Sequence, residues 1–267
     1  MFLDPADGGI SRTLINKGLR EPCFMWLLRR EAQGSCGLDV GGNIGYTTLS
    51  ICNTMSSVTV FEPDSRSRKL LIRNIDENGF QARTEVREEA VSDREGPINI
   101  YLDAQPNLSS TVPRKKAKVV EISAVTLDSL GVEPEFIKMD IEGAEVSALR
   151  GGMGCLDATS RCRILIEVHP QFYGPDNDFK AVISDLLGFG YRFKFVVSAG
   201  VPRPGLFKQA GYEAFPGAPV SRRAVYAEVS EDHALDWCSR QIKQPCGKGR
   251  VSKKIVRAIL LEKGTWQ

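Results

Sequence analysis

The sequence predicts an α/β protein, a mainly parallel sheet with helices on both faces. Three observations carry this. An apolar strand, Gly37–Val40, runs into the glycine turn Gly41-Gly42-Asn43-Ile44-Gly45 and then into a helical stretch. A second apolar strand, Val58–Phe61, ends on an acid, Glu62. Apolar runs and amphipathic stretches then alternate as far as Val197, the pattern of a sheet whose crossovers are helices.

Each element follows from local pattern. Residues 1–35 read as a lead-in of two helices, Ile10–Lys17 and Phe24–Gln33, with Pro22 separating them. Strands are expected at Gly37–Val40, Val58–Glu62, Thr84–Arg87, Phe136–Asp140, Ile164–His169 and Phe193–Val197, and Ala224–Val229 is the candidate for the last. Helices are expected over Gly45–Met55, Arg66–Asn78, Glu142–Arg150 and Asp178–Leu187. Between Pro97 and Ser123 a helix is missing; Ile98–Leu102 and Val119–Ile122 alternate like paired strands. Their connection carries Asn107–Thr111 and a basic run, Arg114–Lys116; the basic run is read as a solvated loop. The main domain is therefore placed at 36–231, with a tail over 232–267. In that tail Val251, Ile255, Val256, Ile259 and Leu260 share one helical face, so a basic terminal helix docked on the core is expected. Peripheral contact of that helix with a membrane is the sharper alternative.

The strand–acid–glycine order decides the ligand class. In such folds a nucleoside sits off the carboxyl ends of the strands, with an acid on the ribose hydroxyls. Aligning Gly42 and Gly45 with the dinucleotide pattern G-x-G-x-x-G puts Val40 at the first glycine, so that pattern fails. Asp39 beside the turn would repel a pyrophosphate at the helix N-terminus. S-adenosylmethionine has no phosphate and carries two positive groups that an acid favours, so it is the expected cofactor. The bland alternative is a tight strand–helix turn with Asp39 as a capping residue and Glu62 as a plain strand end.

Composition sets bounds. The chain has 267 residues, 42% hydrophobic and 25% charged, ordinary for a globular protein able to bury a full core. A net charge of +2 gives no electrostatic case for nucleic acid as a partner. Seven cysteines, an odd number and without a C-x-x-C pair, fit a reducing, cytoplasmic setting. No basic-then-apolar leader and no apolar run of about 20 residues is present. With two histidines, His169 and His233, any imidazole base is one of these.

Six segments together resemble one family. They are L-D-V-G-G-N-I-G from Leu38, F-E-P-D from Phe61, A-V-S-D from Ala90, T-L-D-S-L from Thr126, F-I-K-M-D-I-E-G-A-E from Phe136 and I-E-V-H-P from Ile166. In this order the chain resembles the FkbM-type S-adenosylmethionine-dependent methyltransferases over roughly residues 36–197. The resemblance implies a Rossmann-like class I methyltransferase fold, a seven-stranded sheet whose last strand is antiparallel. It implies cofactor contacts from Asp39, Gly41, Asn43, Gly45 and Glu62, with Gly42 standing where the family commonly has alanine. It places the adenine near Glu88, Glu89 and Ala90. It also implies O-methylation of a hydroxyl on a small molecule or glycan; a nucleic-acid methyltransferase and a catalytically silent cofactor-binding module are the rival readings.

Methyl transfer to a hydroxyl needs an acceptor held in line and a group to take its proton. Asp140 ends its strand at the ligand edge, as a partner of the cofactor's amine, a general base or a metal ligand. Glu142 follows as a second acid, and Glu145 reads mostly as a first-turn acid complementing the helix dipole. His169 ends the neighbouring strand and is the preferred base, with Glu167 two residues earlier able to orient it. Three acids and an imidazole can bind a divalent metal, but nothing in the spacing demands it, and the expected route uses none.

Overall fold

The structure, a computed structural model, describes residues 1–113, 117–200, 203–241, 244–245, 251–252 and 254–266. Two helices lead in, α1 (Ile10–Lys17) and α2 (Pro22–Glu31). The α/β unit opens with β1 (Gly34–Val40), α3 (Tyr46–Cys52), β2 (Met55–Phe61), α4 (Ser65–Glu77) and β3 (Thr84–Arg87). Three strands follow, β4 (Ala90–Val91), β5 (Gly96–Leu102) and β6 (Lys118–Val125). Next come β7 (Phe136–Met139), α5 (Glu145–Arg150), α6 (Met153–Ala158), β8 (Cys162–Glu167), α7 (Phe179–Gly188) and β9 (Arg192–Ser198). The chain continues through α8 (Arg203–Gln209), β10 (Val225–Ala227), α9 (Glu231–Ser239), β11 (Gln244–Pro245), β12 (Val251–Ser252) and β13 (Val256–Lys263).

Among the described residues the main sheet has eight strands in the order β10-β9-β13-β8-β7-β1-β2-β3. β1 pairs in parallel with β2 and β7, β2 with β3, and β7 with β8. β13 runs antiparallel to both β8 and β9. Helices cover both faces, as the alternation requires. One face buries Phe24, Leu27 and Leu28 of α2 with Ile51, Leu71 and Ile75. The other buries Val146, Leu149, Val182, Leu186 and Trp237. The expected strand pair is present: β5 and β6 are antiparallel, and β4 joins β6 in a separate three-stranded sheet.

The terminal helix is the main correction. Residues 256–263 form a strand buried inside the sheet, with Val256, Ala258, Ile259, Leu260 and Leu261 fully enclosed. A strand covered on both faces is apolar throughout, and a short apolar run of that kind fits a helical stripe equally well. Of that stripe, Val251 falls in β12. The candidate last strand, Ala224–Val229, is instead a short edge strand, β10, antiparallel to β9. Pro22 does not separate the lead-in helices but opens α2, where its missing N–H costs nothing. α5 starts three residues later than expected because Glu142 and Gly143 adopt positive φ of 54° and 106°, a turn no helix can include.

Six cysteines are free thiols. Cys246 and the basic run Arg114–Lys116 lie outside the described residues. Among the described residues no helix is long and apolar enough to cross a membrane.

Candidate functional site

The carboxyl ends of β1, β2 and β7 open into one cleft. The cofactor-side wall begins at the glycine turn. Gly41 and Gly42 donate their N–H groups to the Phe61 carbonyl at 2.9 and 3.1 Å, tying the turn to the end of β2. Gly41 has φ of 87°, and a Cβ there would lie 2.1 Å from the Asp140 carbonyl oxygen, so only glycine fits. Glu62 is buried with its carboxylate held by backbone: Oε2 accepts the Asn43 N–H at 2.7 Å and Oε1 the Asp64 N–H at 2.8 Å. Burial pushes its carboxyl up to about 7, against the lowering effect of those two amides.

Six of the expected cofactor residues line the cleft: Gly41, Asn43, Glu62, Glu89, Ala90 and Asp140. Three do not. Gly42 packs behind the turn, where a Cβ would meet Val60 Cγ1 at 2.3 Å, so the alanine common in the family does not fit this chain unaltered. Gly45, at φ 89°, is the N-cap of α3 and abuts Leu71. Asp39 is fully buried below the turn, ion-paired with Lys138 Nζ at 2.9 Å and accepting the Thr48 hydroxyl at 2.7 Å. Its charge is therefore balanced by a neighbouring strand. Lys138 also donates to the Gly41 carbonyl at 2.6 Å, so the pair braces the turn from beneath.

The opposite wall is acidic. Asp140 and Glu142 follow β7 and line the cleft; the Asp140 side chain is 34% exposed. His169 sits behind them, 2% exposed, and is not part of the lining. Its Nδ1 is 2.8 Å from Glu145 Oε1, and its Nε2 is 3.2 Å from Glu167 Oε1. Burial disfavours the imidazolium, but the Glu145 and Glu167 carboxylates outweigh it and push the group up to about 10. Closed off from the cleft and flanked by two carboxylates, the imidazole is poorly placed to take a proton from an acceptor there, which argues against His169 as the base. Glu145 does more than complement a dipole: it accepts the Gly143 N–H at 3.0 Å, fixes His169, and takes the Tyr173 hydroxyl at 3.1 Å. Glu167 is held by Arg257, whose charge keeps its carboxyl low despite burial.

Residues 106–111, between β5 and β6, form the roof, a role their sequence did not suggest. Ser110 Oγ donates to the Glu142 carbonyl at 3.0 Å, and Ser109 Oγ to Asp64 Oδ2 at 3.0 Å. Asn107, Ser109, Ser110 and Thr111 thereby face the cleft. Ile10, Arg20 and Arg257 complete it from the lead-in and the last strand. Lys138 was the residue most open to detection: a lysine inside an apolar strand, in register with Asp39 on the neighbouring one.

A central run of parallel strands, one antiparallel strand inserted between the fifth and its outer neighbour, and a glycine turn with an acid on the next strand define a class I methyltransferase fold. β10 adds an edge strand to the expected seven. The chain belongs to the FkbM methyltransferase family: the methyltransferase FkbM domain matches residues 39–193, more than half its length. No curated protein matches it. Among solved structures, methyltransferase FkbM from Methylobacillus flagellatus KT is 21% identical with a TM-score of 0.47, covering 67% of this chain. The match spans 45% of that protein's length. An S-adenosylmethionine-dependent O-methyltransferase from Thermotoga maritima is 11% identical, TM-score 0.41, over 96% of this chain and 71% of the other. An rRNA methylase from Streptococcus thermophilus is 12% identical, TM-score 0.42, over 92% and 99%.

Proposed function

We propose that the protein transfers a methyl group from S-adenosylmethionine to a hydroxyl of a small molecule or glycan. The observation that carries this is the cleft with two unlike walls, Gly41, Asn43 and Glu62 on one side and Asp140 and Glu142 on the other. Each Glu62 oxygen accepts one backbone N–H and keeps a lone pair for a ribose hydroxyl. Glu89 and Ala90 bound the adenine end, and the side-chain-free Gly41 lets the cofactor approach the backbone. S-adenosylmethionine supplies an activated methyl on a sulfonium leaving group. The chain's task is then to hold the acceptor in line and receive its proton. Asp140 is the residue assigned to that proton: it follows β7 at the cleft, and its side chain is 34% exposed there. The short polar side chains of Asn107, Ser110 and Thr111 suit an acceptor rich in hydroxyls, which favours a small molecule or glycan over nucleic acid.

Calorimetry with S-adenosylmethionine, its demethylated product and nicotinamide dinucleotides tests the cofactor. The first two are expected to bind, and Glu62→Ala to weaken them by about 1–3 kcal/mol, the scale of a lost hydrogen bond to a charged group. Preference for a nicotinamide dinucleotide would sink the proposal. With an acceptor in hand, Asp140→Asn is expected to lower turnover about 10²–10⁴-fold. A chain that binds cofactor but methylates no hydroxyl compound would be the silent module instead.

A further inference from the structure

His169 Nε2 and Asp140 Oδ1 are both buried and neither makes a well-formed hydrogen bond among the described residues, the acceptor nearest to Nε2 being Glu167 Oε1 at 3.2 Å. The two atoms face each other at 3.9 Å, with Glu142 Oε1 3.7 Å from Nε2. One donor atom from each of the three residues falls within 4.8 Å of the others. Glu145, fully buried, fixes the ring through Nδ1 and is itself held by the Tyr173 hydroxyl. A carboxylate on one ring nitrogen is the arrangement that orients the other nitrogen toward a metal and makes it a stronger donor.

We propose that Asp140, Glu142 and His169 form a binding site for a divalent cation at the edge of the cleft. Four carboxylates, those of Asp140, Glu142, Glu145 and Glu167, gather round the ring, and Lys254 and Arg257 both ion-pair with Glu167. Adjacent ligands of an octahedral ion with bonds of about 2.1 Å stand roughly 3 Å apart, so small side-chain movements bring the three into range. Two carboxylates and one imidazole suit an ion of the manganese type better than one that seeks thiolates. The ion would take the place of the proton on Nε2. Because Asp140 and Glu142 also line the cleft, it would present an open position there to an acceptor oxygen. That role rests on the methyl-transfer reading; the binding site itself does not.

The test uses the full chain, stripped with a chelator and titrated with Mn²⁺, the free ion being followed by its paramagnetic resonance signal. One saturable ion per chain is expected. Asp140→Asn and His169→Gln are expected to abolish or strongly weaken it. Glu145→Gln, which touches no ion, is expected to weaken it about 10–100-fold, the usual effect of losing a supporting carboxylate. The exposed Glu95→Gln should change nothing. Thermal melts by circular dichroism identify any variant that has lost its fold. No depletion of the free signal at millimolar Mn²⁺, or depletion that survives both Asp140→Asn and His169→Gln, overturns the proposal. Calorimetry of S-adenosylmethionine on the same stripped protein keeps the two readings apart: failure there with Mn²⁺ still bound would break the methyl-donor reading alone.

Discussion

The two walls of the cleft hold their carboxylates by different means. On the β2 side Glu62 is satisfied by two backbone amides from segments close to it in sequence, Asn43 and Asp64. On the β7–β8 side Glu145 is held by the His169 and Tyr173 side chains beside the Gly143 N–H, and Glu167 by Arg257 and Lys254 from the far end of the chain. A backbone cradle is fixed once its turn folds. A side-chain cradle depends on every member being present and correctly charged. The first wall should therefore tolerate change outside its turn, and the second should be sensitive to distant changes.

Removing residues after 231 makes the comparison fail outright. The deletion takes away β13, which pairs with β8 and β9, and with it Arg257. Such a chain is expected to lose cooperative unfolding in denaturant and to bind no cofactor; a normal transition would show β13 to be dispensable. Lys138→Met strikes the joint between the walls, leaving Asp39 buried and uncompensated. A loss of about 3–5 kcal/mol is expected by denaturant unfolding, largely recovered by adding Asp39→Asn. A loss below about 1 kcal/mol would mean that the pair is no stronger than a surface ion pair.

These two predictions separate what the sequence shows from what it hides. Val58–Phe61 and Glu62 were legible because an apolar run stops on an acid at a strand end, a local signal. So was most of the first wall. β13 was hidden because a strand buried on both faces has no alternation, and Ile255, Val256, Ile259 and Leu260 satisfy helical spacing as well. The ion pair of Asp39 was hidden for a related reason. Its partner lies on a strand far along the chain, and only the register of β1 with β7 shows that Lys138 neutralises it. His169 was placed at the right strand end, but its protonation is set by Glu145, which sequence position alone presents as a helix-capping acid.

Smaller effects sharpen the first wall. Gly42→Ala must push Val60 aside, with an expected cost of about 1–3 kcal/mol in unfolding experiments, typical of overpacking. A neutral result would mean that β2 yields there as it does not in this structure. Burial raises the Glu62 carboxyl to about 7, so it is neutral below that pH and ionised above. If the ionised form accepts the ribose hydroxyls, S-adenosylmethionine affinity should rise as pH increases through about 7, by roughly tenfold. In the absence of ligand the sign reverses. The folded state binds this proton more tightly than the unfolded chain, whose value is near 4.5, so Glu62 contributes less stability as pH climbs from 4.5 toward 7. An affinity flat across that range would show that the cofactor does not read the charge on Glu62.

The insertion of β13 between β8 and β9 also sets the order in which the molecule can be made. While the chain is being synthesised, β8 and β9 emerge well before the strand that joins them. During that interval each presents an unpaired, apolar edge, the feature that invites pairing with other chains. The methyl-donor wall, assembled from β1 and β2 and the turn between them, can form early. The wall that carries Glu167 waits for Arg257. Slow synthesis or arrest before residue 256 would thus yield a half-built sheet that is prone to aggregate, and the burden on cellular chaperones should fall on that window.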